Sequence, residues 1–255
     1  MKTYSSLYSI VIPARNEAEN LPDTVSGLHS CLRDAGIPYE IVLVNDHGTD
    51  DTARTIEQLA RSGVSIIECP NPNPPGFGNA VRHGFEKAAG EVVAVVMADG
   101  SEDPADVSLF YRKIIDEGFD CCFGSRWAQA GLVSGYPPLK LFLNRLVNLG
   151  IMLLFGIRYN DVTNAFKAYR KDVIQGCRPL LAKHFNLTVE LPLKAIIRGY
   201  SYTVAPNKWR RRKHGASHLR LKEMGSRYLF IVLYCLLEKW LSRGDYHRRN
   251  QATLK

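Results

Sequence analysis

The acidic turn at residues 99–103 is the part of the sequence best suited to chemistry. An apolar stretch, Val92–Met97, runs directly into Asp99 and the carboxylates that follow it. Ionised carboxylates beside a hydrophobic core are costly unless a cation or hydrogen bonds compensate them. We therefore predict that Asp99 binds a metal ion. The alternative is a helix start, with Ser101 or Asp103 as the N-cap, and both interpretations can hold together.

Strand-like and helix-like segments alternate through the first hundred residues. Strands are predicted at residues 8–13, 40–44, 64–68 and 92–97, and helices at 18–35, 50–61 and 78–89. This alternation is typical of a parallel sheet covered by helices on both faces. We predict an α/β fold with a mostly parallel central sheet. Ligands of such sheets bind beyond the carboxyl ends of the strands, where the acidic turn and two polar segments, 13–17 and 45–51, are expected to lie.

The pattern is less regular after residue 106. We predict strands at 120–124 and 162–169, and a helix at 186–197 that Pro192 starts or kinks. No repeat or linker interrupts the chain. We therefore predict one domain over residues 1–222 and a C-terminal helical extension over 223–255.

Two apolar segments, residues 139–155 and 228–237, are predicted to be helices. The first is interrupted by four polar residues that lie near one helical face: Lys140, Asn144, Arg145 and Asn148. This segment is therefore amphipathic. The second would span about 15 Å, half of a bilayer core of about 30 Å. A buried core helix is its default interpretation, and a helix in a membrane interface or on a partner helix is the alternative.

The charge of the chain favours an anionic partner. The 33 Lys and Arg residues exceed the 25 Asp and Glu residues, the net charge is +8, and residues 209–213 read WRRRK. Such a basic excess indicates a phosphate-bearing partner. We predict a membrane surface rather than nucleic acid, because Trp209 is the only aromatic residue within this cluster.

The six cysteines form no CxxC pair and no zinc-like spacing, and the N-terminus shows no signal peptide pattern. We therefore expect a cytoplasmic protein that folds without disulfides. Together with the apolar segments, this places the predicted protein on the cytoplasmic face of a membrane.

Several blocks of sequence, in this order, resemble the family 2 glycosyltransferases. They are VIPARNE (11–17), VNDHGTDDT (44–52), GFGNAVRHGFEKAAG (76–90), MADGSEDP (97–104), GSRW (124–127), DVTNAFKAYR (161–170) and the spaced set Trp209, Arg212, Gly215 and Ser217. The resemblance extends from Ser9 to about Leu219 and is strongest to the polyprenyl-phosphate (dolichol-phosphate) mannosyl- and glucosyltransferases. It implies a GT-A fold for residues 1–222.

The resemblance also implies a binding site for a nucleotide sugar. Its residues would be Pro13, Arg15, Glu17, Val44, Asp46, Ala98, Asp99 and Asn186. A carboxylate at a strand end can accept hydrogen bonds from a nucleobase or a ribose. For Asp46 the alternative is capping of a loop, together with Asp50. For Asn186, and for Glu190 in the same block, the alternative is an exposed helix face.

A divalent cation, Mg²⁺ or Mn²⁺, is the cofactor that the resemblance implies, with Asp99 and Ser101 as ligands. Here the chain departs from the family pattern. The family usually has Asp-Ala-Asp, whereas this chain has Met97-Ala98-Asp99. The first carboxylate is therefore missing, and Glu102 and Asp103 are the candidates to replace it.

Basic residues would hold the phosphate of the acceptor or the diphosphate of the donor. By resemblance these are Arg126, Arg145, Arg212 and Lys213, and the predicted catalytic set is Asp99, Arg126 and Arg212. The guanidinium group suits this role because it forms paired hydrogen bonds to phosphate oxygens and stays charged. A phosphate nucleophile is already ionised at neutral pH, so positioning and charge stabilisation can carry the reaction.

We therefore expect an inverting glycosyltransferase that moves a hexose from a GDP-mannose or UDP-glucose type of donor to a polyprenyl phosphate. Two alternatives remain open. One has a glycan or glycolipid hydroxyl as the acceptor, which would require a general base. The other, suggested by Met97, is a non-catalytic protein that binds nucleotide sugars.

Overall fold

A computed structural model describes residues 4–129, 133, 136, 138–210 and 221–248. The strands are β1 (Tyr8–Ala14), β2 (Tyr39–Asn45), β3 (Ile66–Pro70), β4 (Val92–Val95), β5 (Cys121–Ser125), β6 (Lys167–Arg170) and β7 (Tyr202–Pro206). The helices are α1 (Leu21–Asp34), α2 (Thr52–Ala60), α3 (Phe77–Lys87), α4 (Pro104–Ile115), α5 (Pro138–Phe155), α6 (Lys171–Gly176), α7 (Leu187–Ile197) and α8 (Leu221–Leu241).

The seven strands form one sheet in the order β3-β2-β1-β4-β6-β5-β7. Strand β6 runs antiparallel to both of its neighbours, and every other pairing is parallel. The prediction of a mostly parallel α/β sheet is confirmed. Because β6 is reversed, its amino end lies at the edge where the parallel strands have their carboxyl ends.

Two apolar layers cover the sheet, so the central strands are buried on both faces. Ile10 and Ile12 of β1 pack with residues of α1 and α4, such as Leu28 and Phe110. The intervening Val11 lies in the opposite layer, with residues of α3, α7 and α8. This two-sided burial explains why the strands read as continuous apolar runs.

Helix α3 lies unusually close to the sheet, and Gly84 makes this approach possible. A Cβ atom built on Gly84 would lie 2.4 Å from Cγ1 of Val11 and 3.1 Å from Cγ2 of Val44. No side chain fits in that space. The close packing holds the second half of α3 against β1 and β2.

Helix α5 has its polar side turned inward. Asn148 is only 1% exposed, and the amides of Asn144 and Asn148 donate to the hydroxyl of Thr163 at 2.8 and 3.1 Å. The outer side is apolar, with Phe142 64% and Leu153 75% exposed. Over its 18 residues the mean hydropathy is 1.4, and α5 is the one helix among the described residues with the length and composition to cross a membrane.

Helix α8 also has an exposed apolar side and packs its other side into the core. Phe230 and Trp240 are about 60% exposed, whereas Ile231 and Cys235 are fully buried. The prediction of a purely buried core helix is therefore wrong. The division at residue 222 stays a prediction, because α8 runs across it.

One other prediction from the later half needs correction. The strand predicted at 162–169 begins only at Lys167, because residues 161–166 form a loop that makes side-chain contacts described below. The helix predicted at 186–197 is confirmed as α7, and Pro192 lies inside it, which excludes the first of the two roles predicted for this proline, that of starting the helix.

We expect Gly84→Ala to destabilise the fold by about 1–3 kcal/mol, because the added methyl group overpacks the contact between α3 and the sheet. Gly150→Ala is the matched control, since a Cβ at this helical glycine of α5 meets no atom within 4 Å. The control should be neutral or about 1 kcal/mol more stable. Urea unfolding of both variants tests this, and equal effects would show that the contact at Gly84 relaxes freely.

Candidate functional site

The loops after β1 and β2 are bound to each other at the carboxyl edge of the sheet. The side chain of Asn16 accepts from the amide of Thr49 at 2.7 Å, and the amide of Glu17 donates to the hydroxyl of Thr52 at 2.9 Å. Asp50 accepts from the amides of Thr52 and Ala18. Capping in this loop is therefore the role of Asp50, as its alternative interpretation predicted.

Asp46 is buried where three loops meet. Its carboxylate accepts from the side-chain amide of Asn71 at 2.7 Å and from the backbone amide of Gly76 at 2.9 Å. These bonds join the end of β2 to the start of α3. Asp46 thus has the structural role that its alternative interpretation foresaw, and any contact with a nucleotide must use its remaining acceptor capacity.

The other residues predicted at this edge differ in what they can offer. Arg15 is exposed and Glu17 is half-buried, so both side chains can reach a ligand at the carboxyl edge of the sheet. Pro13, Val44 and Ala98 are buried, and the side chains of Val44 and Ala98 lie in the two apolar layers. Val44 and Ala98 can contact a nucleotide only through their backbone.

The acidic turn folds back on itself. The carboxylate of Asp99 accepts from the amide of Ser101 at 3.1 Å, and Gly100 has a left-handed φ of +65° that allows the reversal. Asp103 is the N-cap of α4, where it accepts from the amide of Ala105 at 3.0 Å. The helix-start interpretation of this turn is confirmed, with Asp103 rather than Ser101 as the cap, and metal binding by Asp99 stays a prediction.

Glu102 has the largest pKa shift among the carboxyl groups of the acidic turn. Burial first, and the negative charge of Asp99 second, raise its pKa to about 8. The charge of Arg126 opposes this shift. The neutral form of Glu102 is therefore favoured at pH 7 unless a positive charge lies beside it.

Arg126 forms a buried, two-pronged ion pair with Asp161. Its Nε and Nη2 donate to the carboxylate at 2.8 and 2.7 Å, and its backbone amide donates to the same group at 3.0 Å. Burial by itself would lower the pKa of Arg126, but the bonds to Asp161 raise it above its ordinary value. The guanidinium is thus permanently charged and rigidly placed at the end of β5.

An aromatic cluster of Trp127, Tyr136 and Trp209 joins the predicted arginines to the acidic turn. The guanidinium carbons of Arg126 and Arg145 lie 5.5 and 5.6 Å from the ring centre of Trp127. Tyr136 packs edge-on against both Trp127 and Trp209.

Trp209 in turn pairs through its backbone with Glu102, and the amide of Arg210 donates to the carbonyl of Ser101 at 2.9 Å. Arg126 and Arg145 are therefore connected, through the aromatic cluster, to the acidic turn that contains Asp99. Arg212 and Lys213 lie outside the described residues, directly after this anchored segment.

The residues predicted near the sugar are buried rather than exposed on a helix face. Asn186, only 5% exposed, accepts from the amide of His184 and donates to the carbonyl of Arg227 at 3.4 Å. Glu190 accepts from the amides of Leu181 and Ala182 and forms an ion pair with a buried lysine. Glu190 is therefore structural, and Asn186 ties the start of α7 to α8.

The loop at residues 161–164 was not assigned a role from the sequence. Besides Asp161 it contains Thr163, which contacts α5, and Asn164, whose amide donates to the carbonyl of Gly124 at 2.9 Å. The buried ammonium group of Lys167 donates to the carbonyls of Val162, at 3.0 Å, and Asn164. The signal that could have found Asp161 is the need of a buried arginine for a carboxylate.

A model of the glycosyl transferase family 2 matches residues 9–177, which is more than half of the chain. The chain belongs to glycosyl transferase family 2. It is therefore a glycosyltransferase, as the sequence blocks predicted.

Two curated relatives resemble most of the chain. It is 27% identical to the polyprenol monophosphomannose synthase of Mycolicibacterium smegmatis over 82% of this chain and 80% of that protein. It is 31% identical to the dolichol-phosphate mannosyltransferase of Pyrococcus furiosus over 93% of this chain and 65% of that protein. The chain thus spans about two thirds of the length of the Pyrococcus protein.

Solved structures confirm the fold. The glucosyl-3-phosphoglycerate synthase of Mycobacterium tuberculosis, in complex with Mn²⁺, uridine diphosphate and glucosyl-3-phosphoglycerate, superposes with a TM-score of 0.67. The match covers 92% of this chain and 80% of the other, at 17% identity. The chain therefore has the GT-A fold that the resemblance implied.

We expect Asp161→Asn to lower the free energy of unfolding by about 3–5 kcal/mol, because it leaves the buried charge of Arg126 without its partner. The control is Asp34→Asn, which breaks a pair with Arg33 in which both side chains are more than 60% exposed. That change should cost less than about 1 kcal/mol. Urea unfolding of the two variants measures both values, and similar losses would contradict the dominance of the buried pair.

The stability of the protein should depend on pH through Lys167. Burial lowers the pKa of Lys167 from 10.5 to about 7, so between these values the unfolded chain binds a proton that the folded protein has lost. The contribution of Lys167 to stability therefore rises with pH above about 7, by at most about 1.4 kcal/mol per pH unit, and is constant below it.

Lys167→Met removes this titration. Urea unfolding of wild type and variant at pH 6, 7 and 8.5 should show wild type gaining on the variant only between the last two values. A constant difference over the whole range would mean that Lys167 stays protonated when folded.

Proposed function

We propose that this glycosyltransferase moves a hexose from a nucleotide diphosphate sugar, of the GDP-mannose or UDP-glucose type, to a polyprenyl phosphate. The names of the two curated relatives support a polyprenol or dolichol phosphate acceptor. The observation that carries the proposal lies in α5. This helix supplies Arg145 to the aromatic cluster beside Arg126 and exposes apolar side chains along its outer side.

A polyprenyl phosphate has the same two parts. Its phosphate is an anion that guanidinium groups bind with paired hydrogen bonds, and its isoprenoid tail is apolar. An acceptor with a sugar hydroxyl would match neither Arg145 nor the apolar side of α5. That acceptor would also need a general base, and the acidic turn is the only candidate among the described residues of the site.

The donor would lie over the carboxyl ends of β1, β2 and β4. Arg15, Glu17 and Asp46 would offer polar groups for the base and ribose, with the backbone of Val44 and Ala98 beneath them, and the resemblance assigns Asn186 to the sugar. The diphosphate would then lie between the acidic turn and Arg126. This arrangement follows the general placement of ligands in open α/β sheets.

The residues of the acidic turn fit a divalent cation. Asp99 and Glu102 are two carboxyl oxygen donors on one turn, and a bound cation would favour the ionised form of Glu102. Mg²⁺ is typically held by one or two carboxylates together with phosphates of the substrate. Asp99, with Ser101 beside it, would hold the ion, and the bound ion would neutralise charge on the leaving nucleoside diphosphate.

The proposed reaction is a single displacement with inversion. An oxygen of the acceptor phosphate attacks the anomeric carbon, the bond from that carbon to the diphosphate breaks, and the nucleoside diphosphate leaves with the bonding electrons. Arg126 and Arg145 orient the incoming phosphate and offset its charge. Arg212 and Lys213, which follow the anchored Arg210, are proposed to complete this cationic surface. No proton has to be removed from the nucleophile.

We further propose that the enzyme works at the cytoplasmic face of a membrane. The exposed apolar sides of α5 and α8 support contact with a lipid surface, and the basic residues 209–213 would add attraction to anionic lipids. All six cysteines are free, which agrees with a reducing compartment.

An assay of sugar transfer tests the proposal. Purified enzyme with Mn²⁺ is offered GDP-mannose and UDP-glucose, each with a polyprenyl phosphate or the matching polyprenol. We expect transfer from one donor to the phosphate and none to the polyprenol. Transfer to the alcohol, or to neither compound, would overturn the proposed acceptor.

Two variants connect the assay to the site. Asp99→Asn should lower kcat at least about 100-fold, because it weakens charge stabilisation of the leaving group. Arg145→Ala should raise KM for the polyprenyl phosphate about tenfold, or about 1.4 kcal/mol. Arg54→Ala, an exposed arginine on α2, is the control for loss of positive charge. Wild-type kinetics in Asp99→Asn or Arg145→Ala would remove that residue from the proposed site.

A further inference from the structure

The chain lacks the first carboxylate of the Asp-Ala-Asp pattern, and Met97 stands in its place. The side chain of Met97 is partly buried and packs against the apolar layer that includes α3 and α7. It cannot ligate a hard cation, which prefers oxygen donors. A site with two carboxylates at the end of β4 therefore requires one from another position of the chain.

The carboxylate of Glu102 lies at this place. Its Oε2 accepts a hydrogen bond from the backbone amide of Met97 at 3.1 Å, and the hydroxyl of Ser101 also bonds to the group. The chain reverses its direction at Gly100. Glu102, five positions after Met97, therefore returns to the backbone of Met97. Asp99 lies on the same turn, where its carboxylate accepts from the amide of Ser101, the residue before Glu102.

The backbone of Glu102 is fixed in a way that directs this side chain inward. Glu102 pairs with Trp209 in an antiparallel bridge, and the carbonyl of Ser101 accepts from the amide of Arg210 at 2.9 Å. Alternating residues of an extended segment point to opposite sides. The neighbouring Asp103 accordingly points away from Met97, where it caps α4 and lies 3.3 Å from the ammonium group of Lys208.

We propose that Glu102 is the second carboxylate ligand of the divalent cation and replaces, from five residues further along the chain, the aspartate that this sequence lacks at Met97. The inference rests on the proposed function, because the ion is the one that would bind with the donor diphosphate. Two carboxylates, a hydroxyl and substrate phosphates form the oxygen-rich set that Mg²⁺ or Mn²⁺ takes.

The experiment measures binding rather than turnover. Titration calorimetry, with electron paramagnetic resonance of bound Mn²⁺, gives the affinity of the full chain for Mn²⁺ in the presence of UDP or GDP. Glu102→Gln keeps the size and the hydrogen-bonding ability of the side chain but removes its charge. We expect it to weaken Mn²⁺ binding at least tenfold while nucleotide binding without metal is unchanged.

Two further variants separate ligation from other effects. Asp103→Asn removes the adjacent carboxylate, keeps a residue that caps helices well, and should bind Mn²⁺ as wild type does. Met97→Asp in the Glu102→Gln background restores the family's carboxylate and should recover most of the affinity. Thermal unfolding of each variant verifies that it is folded.

Three outcomes would overturn the proposal. Glu102→Gln could bind Mn²⁺ as tightly as wild type, or its loss could persist after Met97→Asp, which would make Glu102 a structural partner of the Met97 amide. Wild type could also bind no Mn²⁺ with either nucleotide. Failure of the proposed function is a different result: normal Mn²⁺ and nucleotide binding with no transfer to a polyprenyl phosphate.

Discussion

The buried ion pair between Arg126 and Asp161 is the interaction on which the rest of the site depends. It joins the end of β5 to the loop before β6, and the 34 residues between the two partners include α5. Closing a chain segment of this length has a substantial entropic cost, which the paired hydrogen bonds and the adjoining polar contacts offset. Without this closure neither Arg145 nor the aromatic cluster would be held beside the acidic turn.

The reversed strand β6 makes the pair geometrically possible. A parallel strand in its place would begin at the opposite edge of the sheet, far from the carboxyl end of β5. Because β6 is antiparallel to β4 and β5, the loop at 161–164 lies at the same edge as the loops that follow β1, β2 and β4. The reversed strand β6 thus adds a second set of polar residues to this edge of the sheet. With parallel strands alone, the polar residues there would come only from the loops after β1, β2 and β4.

The sequence predicted the parallel half of the fold well, because the periodicity of each strand or helix and the polar residues at strand ends depend only on residues close together in the chain. It also named Asp99, Arg126 and Arg145 as site residues, and their roles stay predictions. It did not identify Asp161 as the partner of Arg126 or place Glu102 at the amide of Met97, because both depend on the course of the chain in three dimensions. For α5 the pattern showed a polar stripe but not which side of the helix faces the protein. The stripe faces inward because the amide of Asn148 donates its hydrogen bond to the hydroxyl of Thr163 rather than to water.

The outward apolar side of α5 has a kinetic consequence for the proposed reaction. A chain resting on a bilayer through this helix would meet its acceptor by lateral diffusion within the lipid plane, with the phosphate already at the depth of Arg145. Turnover would then follow the mole fraction of acceptor in the surface rather than its bulk molarity. Diluting the bilayer with inert lipid would slow such an enzyme even when the total amount of every reactant stayed the same.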